Sequence, residues 1–241
     1  MTQGLHPLAA NMINQLNRVD VVSNNLANAN TVGFKEDHLV EGSFNHYMDK
    51  TKAENKEPMK LSEVMNTIPK IDGKYINQDA GSIVKTGNGL DFALNEPGTY
   101  FKVLNTRNNS VEYTRDGSFK VIDGEVVTQN GYKVLNDGNQ PIAVDQDNLF
   151  VENISVVSID SKNLSKVGNN NYSVDNINNV NNLVNDGTIV LQGAIEQSNV
   201  NTISSMVDLI EAQRKFEQSQ KAISAIDQVN SKVIESIGNN K

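Results

Sequence analysis

Apolar residues recur in steps of three and four near the end of the chain. No Gly or Pro interrupts residues 194–237, and Gly238 then offers a helix stop. The repeating positions are Leu209, Ala212, Phe216, Ser219, Ile223, Ile226, Asn230, Val233 and Ile237. Because this is the a/d spacing of a coiled-coil seam, we predict a helix over residues 200–237 that packs against a partner helix. Ser198 or Asn199 is its expected N-cap.

A second apolar seam lies near the start of the chain. Between Pro7, which a first helical turn tolerates, and Gly33 there is no Gly or Pro. The repeating positions are Leu5, Ala9, Met12, Leu16, Val19, Ser23 and Leu26. We expect the two helices to pair with each other. Since small and polar residues weaken both seams, we expect neighbouring molecules to complete them. Gly33, in the helix exit, is expected to adopt a positive φ.

Short apolar runs alternate with turn dipeptides between residues 75 and 190. At seven-residue intervals the chain carries Asp116-Gly117, Asp123-Gly124, Asn130-Gly131 and Asp137-Gly138. The predicted strands cover residues 90–94, 100–104, 118–122, 125–128, 132–135 and 154–159. This rhythm predicts successive antiparallel hairpins in a small barrel or sandwich. The Asn-rich run 168–182 is predicted to be an exposed loop or a ragged edge strand.

These patterns predict an α+β protein with coiled-coil-like terminal helices and a central antiparallel β-rich region. Residues 1–35 and 191–241 form the predicted helical domain. Residues 36–75, which are charged and interrupted by Pro58 and Pro69, form a predicted linker. Residues 76–190 form the predicted outer domain.

Composition argues against several classes of function. The net charge is -8 and no basic cluster is present, so we expect no nucleic-acid partner. The absence of Cys removes thiolate metal sites and Cys nucleophiles. No apolar run reaches the length of a membrane-spanning helix. We therefore do not expect a membrane-spanning protein. Because the sequence shows no convergent titratable groups apart from the cluster at His38, we also expect no small-molecule substrate.

Candidate chemical groups are few. His38 and His46 lie among acidic residues, but they lack the spacing of a metal-ligand pair, so we interpret them as surface residues. The Gly87-Asn88-Gly89 stretch lacks the spacing of a phosphate-binding loop. Arg115-Asp116 is interpreted as a structural ion pair or a turn clamp, because no nucleophile or general base accompanies it. We expect no cofactor, no metal and no enzymatic activity.

Five motifs follow one another along the chain. The first, at the exit from the N-terminal seam, contains Asn24, Asn25, Leu26, Asn28, Gly33 and Phe34 and ends at Lys35. The second contains Thr86, Gly87, Leu90 and Asp91, and the third contains Thr114, Arg115, Gly117 and Phe119. The fourth, within residues 193–200, contains Ser198, Asn199 and Val200, and the fifth contains Gln213 and Arg214. In order and content they resemble the signatures of the bacterial flagellar axial proteins, the rod and hook family.

The resemblance implies a structural subunit of the flagellar basal-body rod. Such a subunit polymerises helically into the hollow drive shaft that carries torque from motor to hook. The chain length and the absence of an extra loop after Lys35 favour the proximal-rod type over the distal-rod type. A distal-rod or hook subunit is the alternative within the family, and a secreted adhesin or binding module is an alternative from another class.

Partners and location also follow from the resemblance. The implied partners are copies of this chain and other flagellar rod proteins, with hook and ring components as further candidates. The implied location is the periplasm-spanning part of the basal body, reached through the flagellar type III export apparatus.

Overall fold

The computed structural model describes residues 5–43, 69–144, 153–183 and 188–238. Two helices, α1 at Leu5–Ala27 and α2 at Thr202–Gly238, flank a β-rich centre, so the fold is α+β as predicted. The strands are β1 Asp37–Ser43, β2 Pro69–Ile76, β3 Ile83–Lys85, β4 Phe92–Leu94, β5 Thr99–Asn105, β6 Ser110–Thr114, β7 Lys120–Ile122, β8 Glu125–Val127, β9 Lys133–Val134, β10 Val156–Ile159, β11 Leu164–Gly168, β12 Asn171–Val174, β13 Val180–Leu183, β14 Val190–Gln192 and β15 Ala194–Glu196. Neither helix is long and apolar enough, over the residues described, to cross a membrane.

The described residues group into two compact units. The helical unit contains α1 up to Leu26, the described residues of 38–74, and α2. The β unit contains residues 27–37 and the described residues of 75–201. The predicted linker is in part regular structure, because β1 and β2 pair with each other. His46 and Pro58 lie outside the described residues.

One stripe of α2 is covered along the helix. Its buried or half-buried residues are Ser205, Leu209, Ala212, Phe216, Ser219, Ala222, Ile223, Ile226, Asn230 and Val233. Apart from Ser205 and Ala222, these are the predicted seam positions, whose spacing places them on one face. Asn11 Nδ2 donates a hydrogen bond to Ser219 Oγ at 3.0 Å, so α1 contacts α2 through this stripe. Regular coiled-coil packing along the whole seam stays a prediction.

The predicted seam of α1 is only partly covered. The most buried described side chains of this helix are Gln15 and Asn25, each one residue before a predicted seam position. Leu16 is 46% exposed and Ile13 is 59% exposed. The half-buried seam residues are Met12, Val19 and Leu26, and the side chains of Leu5 and Ile237 lie outside the described part of the chain. The helix therefore presents apolar side chains that α2 does not bury.

A nine-stranded antiparallel sheet dominates the β unit, in the order β11-β12-β6-β5-β9-β8-β7 with β10 and β13 joined beside β5. Strand β5 has both faces covered, and its side chains alternate between two core clusters. One cluster includes Phe92, Phe101, Val103, Phe119 and Val134, and the other includes Tyr100, Tyr113, Val157, Ile159 and Tyr172. The predicted strand at residues 100–104 is thus the centre of the sheet. Closure of this sheet into a barrel stays a prediction.

Two of the predicted turn dipeptides form tight turns between paired strands. Asp123 and Gly124 have φ values of 52° and 79°, which suits the two-residue turn between β7 and β8. Gly131 has a φ of 82° between β8 and β9. The hairpin predicted at Asp116-Gly117 is wrong, because β6 and β7 do not pair. Gly117 instead accepts a hydrogen bond through its carbonyl from Phe92 N at 2.9 Å.

The prediction of an exposed loop or ragged edge strand at residues 168–182 is wrong for β12 but agrees with residues 175–182. Those residues are exposed except for the half-buried Val180, and β13 pairs, among the described strands, with β10 alone. Asn169 and Asn170, with φ values of 51° and 59°, turn the chain so that β12 lies between β11 and β6. Tyr172 is fully buried and packs edge-on against Tyr100, with 5.3 Å between ring centroids. Strand β12 can lie in the core although it begins with an asparagine, because Asn171 Nδ2 donates a hydrogen bond to the buried Glu112 carboxylate at 2.9 Å.

We expect Gly117→Ala to destabilise the β unit by at least about 2 kcal/mol. A Cβ at this position would lie 1.8 Å from Phe92 O, so the backbone of β4 would have to move. Chemical denaturation measures the loss of unfolding free energy. The control is Gly89→Ala, whose Cβ would meet nothing closer than Gln192 Nε2 at 3.9 Å. Equal stability of the two variants would contradict the close packing of Gly117.

Candidate functional site

Three motifs from distant parts of the chain meet at Glu196, the last residue of β15. Its side chain is 1% exposed. Glu196 Oε1 accepts hydrogen bonds from Lys35 Nζ at 2.8 Å and from Gly81 N at 2.7 Å. Glu196 Oε2 accepts a hydrogen bond from Arg115 Nε. Both carboxylate oxygens are therefore paired inside the protein, as a buried charge requires. We call Lys35, Arg115 and Glu196 the charged cluster.

The Arg115 guanidinium binds three segments together. Besides Glu196 it donates through Nη1 to the carbonyls of Glu96 at 2.7 Å and Thr99 at 2.6 Å. Nη2 donates to Leu94 O at 3.0 Å. The planar fork of donors suits this role, since its geometry is rigid. The predicted structural ion pair exists, but its partner is Glu196 and not the adjacent Asp116, because the side chain extends into the core.

Lys35 fastens the segment that follows α1, residues 28–37, to the rest of the β unit. Its Nζ also donates to Asp79 O at 2.6 Å. Lys166 Nζ donates to Lys35 O at 2.7 Å and lies 4.0 Å from the Phe34 ring centroid, a cation–π distance. The same ammonium group is 3.1 Å from Asp37 Oδ2. Phe34, Lys35 and Asp37 of this segment are thus held by contacts with charged groups.

Gly33 lies where no side chain fits. Its φ is 65°, which confirms the predicted positive value. A Cβ there would lie 2.4 Å from both the carbonyl carbon and the carbonyl oxygen of Arg115. Gly33 N donates to Glu196 O at 2.7 Å. The first motif therefore passes directly against the backbone of the third and fourth motifs.

Asn199 does not cap α2, which begins at Thr202. Its Oδ1 accepts from Glu36 N at 2.7 Å, and its Nδ2 donates to Asn77 O and Asp79 O, both at 3.1 Å. The prediction of an N-cap at Ser198 or Asn199 is wrong. The amide of Asn199 satisfies backbone groups of two other segments instead.

The second motif is tied to the entry of β15 by its backbone. Thr86 N and Gly87 N both donate to Gly193 O, at 2.8 and 3.0 Å, and Gly193 N donates to Asp91 O at 2.8 Å. These amides are therefore already engaged and are not directed at a phosphate. The other motif residues differ in exposure. The buried ones are Asn25, Thr114 and Phe119, the half-buried ones include Asn28, Leu90 and Val200, and the exposed ones include Asn24, Gln213 and Arg214.

The charged cluster carries one excess positive charge. Burial alone would raise the pKa of the Glu196 carboxyl, but the charges and hydrogen bonds of Arg115 and Lys35 outweigh burial, so the net pKa is lowered. Burial lowers the pKa of Lys35, and the nearby Arg115 charge adds to this, while Glu196 opposes it. Glu196 is thus held ionised. Each hydrogen bond of these three side chains described above joins separate segments of the β unit.

Models of three flagellar families match separate parts of the chain. The one described as flagella basal body rod protein matches residues 10–35. The one described as flagellar hook protein FlgE/F/G D1 domain matches residues 97–163. The one described as flagellar basal body rod FlgEFG protein C-terminal matches residues 191–236. Lys35, Arg115 and Glu196 each fall in a different one of these matches.

Full-length relatives agree with these matches. The flagellar basal-body rod protein FlgF of Caulobacter vibrioides is 33% identical over 237 residues, which cover 91% of each chain. The chain belongs to the flagellar rod and hook protein family. FlgF of Rhizobium meliloti is 29% identical across the whole of both chains. The flagellar hook-basal body complex protein FlhP of Bacillus subtilis is 28% identical over 92% of this chain and 94% of its own.

Membership of the rod and hook family makes the chain a structural component of the flagellum, nearest to the basal-body rod proteins. In this chain the charged cluster joins the three matched segments. Our prediction of site residues included Arg115 but missed Lys35 and Glu196. Both lie inside recognised motifs, but a spacing of 161 residues conceals their pairing.

We expect Glu196→Gln to destabilise the β unit by roughly 3–5 kcal/mol. The substitution keeps the shape of the side chain but leaves Arg115 and Lys35 buried without a counter-charge. Urea denaturation at neutral pH measures the effect. The matched control is Glu125→Gln, which removes the 2.6 Å ion pair with Lys133 at the protein surface and should cost less than about 1 kcal/mol. Similar losses for both variants would refute a special role for the charged cluster.

We also expect the difference in stability between wild type and Glu196→Gln to shrink in acid. The folded-state pKa of Glu196 lies below its unfolded value of about 4.3, so the unfolded state takes up the proton first as the pH falls. The contribution of Glu196 is therefore fully present above that value and is lost as the pH falls through the lowered pKa. Urea midpoints measured from pH 7 to pH 3 test this, and a constant difference would rule it out.

Proposed function

We propose that this chain is a subunit of the flagellar basal-body rod, of the proximal-rod type. In this proposal the helices pair and line the inner tube, while the β unit contributes to the outer part of the rod. Copies of the chain and other rod proteins are its partners, with hook and ring components as further neighbours. The alternative is a distal-rod or hook subunit of the same family.

One observation carries the proposal: both helices expose apolar side chains that a single chain leaves uncovered. On α1 these are Ile13 and Leu16. On α2 the exposed apolar residues near the helix start are Ile203, Met206, Val207 and Ile210. Apolar patches of this kind mark interaction surfaces. A contact between different surfaces of identical subunits that does not close into a ring produces a filament, which is the geometry that a rod requires.

The site supports a mechanical role for the β unit. Torque applied to a subunit loads the connections between its segments. In the charged cluster these connections are charge-assisted hydrogen bonds in a buried setting, which are stronger than bonds between neutral groups. The chain of 241 residues enters β1 at Asp37, two residues after Lys35, so the described stretch 35–43 contains no extra loop, and this supports the proximal type. Delivery through the flagellar type III export apparatus completes the proposal.

We expect Leu16→Asp to abolish incorporation into the rod while the chain still folds. Leu16 is 46% exposed in the single chain, so the carboxylate would cost little there. Between packed subunits it would be a buried, unpaired charge. Cryo-electron microscopy of basal bodies measures the effect: wild-type density should lie in the motor-proximal part of the rod and should be missing in the variant.

The matched control is Asn17→Asp, which adds the same charge at the next exposed position and should assemble normally. Normal rods with Leu16→Asp would overturn the proposed helix contacts. Wild-type density restricted to the distal rod or the hook would favour the alternative subunit type.

A further inference from the structure

A cavity of about 390 Å³ opens in the β unit beside the second core cluster. Its lining includes Lys102, Val111, Tyr113, Asn139, Val174 and Val180. These residues come from β5, β6, β12, β13 and the turn that follows β9. The volume is in the range of small-ligand sites. Neither the charged cluster nor the helix seams contribute to it.

Lys102 gives this cavity a buried positive charge. Its side chain, on the central strand β5, is only 5% exposed. Its Nζ donates to Asn139 Oδ1 at 3.3 Å, which is long for a hydrogen bond from a charged group. Within the described part of the chain, no carboxylate lies at ion-pair distance from it. The buried Lys35, by contrast, is 2.8 Å from a carboxylate oxygen.

Tyr113 stands directly opposite Lys102 in the strand register and also lines the cavity. Burial raises the pKa of Tyr113, so its hydroxyl remains a neutral group able to donate. Burial lowers the pKa of Lys102, and the exposed Asp137 nearby opposes this. The polar groups of the cavity are thus one ammonium group, one neutral hydroxyl and the amides of Asn139 and Asn182, whereas Val111, Val174 and Val180 are apolar.

A buried ammonium group with no carboxylate at ion-pair distance is unfavourable, and an anion in the cavity would relieve the cost. A single positive charge in a cavity that also presents valine side chains suits a monoanion that carries apolar atoms. Phosphate fits poorly, because it bears more charge and has no apolar surface to place against the valines. The favoured ligand is therefore a carboxylate attached to a hydrocarbon group.

We propose that this cavity binds a carboxylate borne on a short apolar group, with Lys102 as its counter-ion. The proposal goes beyond assembly through the helices and does not depend on it. The carboxylate can come from a free small molecule or from an acidic residue of another copy of this chain, which carries 29 Asp and Glu residues.

Titration of the full chain with hexanoate, followed by NMR, tests the proposal. We expect saturable shifts confined to residues that line the cavity. Lys102→Met should weaken binding by about tenfold or more, since a charged hydrogen bond is lost. The matched control is Lys85→Met, which removes an exposed lysine on β3 and should bind as wild type does. Hexanol, which has the same hydrocarbon chain without the charge, should bind at least about tenfold more weakly.

Thermal denaturation distinguishes a ligand-binding role of Lys102 from a purely structural one. Lys102→Met has a similar volume and removes an unpaired buried charge, so we expect a higher Tm without ligand and no further rise with hexanoate. The wild-type Tm should rise with hexanoate. A lower Tm for Lys102→Met, unchanged hexanoate binding by this variant, or equal binding of hexanol or phosphate would each overturn the proposal.

Sedimentation of the wild-type chain distinguishes the two sources of the carboxylate. If an acidic residue of another copy fills the cavity, hexanoate and Lys102→Met should each reduce self-association. If the ligand is a free molecule, self-association should be the same with and without hexanoate. Both results support the proposal when the NMR titration shows binding.

Discussion

A carboxylate that is removed from water must find its counter-charges inside the protein, and the β unit is arranged around this requirement at Glu196. Lys35 and Arg115 supply the charges and Gly81 supplies a backbone amide. Because these donors come from separate segments, the carboxylate is satisfied only after the segments have packed together. The close approach of Gly33 to the backbone of Arg115 belongs to the same contact. The first, third and fourth motifs are thus parts of one tertiary junction.

The helical unit follows a different physical principle. Its covered stripe on α2 includes Ala212 and the Ser219 that bonds to α1, so contact between the helices rests partly on small and polar groups. Apolar side chains such as Leu16 and Ile210 remain on the outside. The segments of the β unit are held together within one chain, whereas the helices keep apolar side chains exposed. This combination is expected of a subunit of a larger assembly, and it agrees with membership of a structural family.

Two buried lysines differ in whether the protein supplies a counter-charge for them, and this difference distinguishes a structural role from a binding role. Lys35 and Lys102 are both buried lysines whose pKa values are lowered chiefly by burial. Lys35 meets a carboxylate and a backbone carbonyl, so its role is complete within the fold. Lys102 donates to the neutral amide of Asn139 at the edge of a cavity, and no carboxylate of the described residues lies at ion-pair distance from it. Lys35 therefore holds the motifs together, whereas Lys102 can bind the anionic group of a ligand.

Local patterns in the sequence determined the two helices, the seam of α2, the positions of the main strands and the positive φ at Gly33, because each depends on residues close together in the chain. Only the tertiary structure decided the partners of Arg115, the burial of β12 and the role of Asn199. These depend on which distant groups come within hydrogen-bond reach. A polar side chain near Gly or Asn suggests a turn or a cap, but packing can direct the same group into the core. Pairing across more than a hundred residues leaves no periodic trace in the sequence.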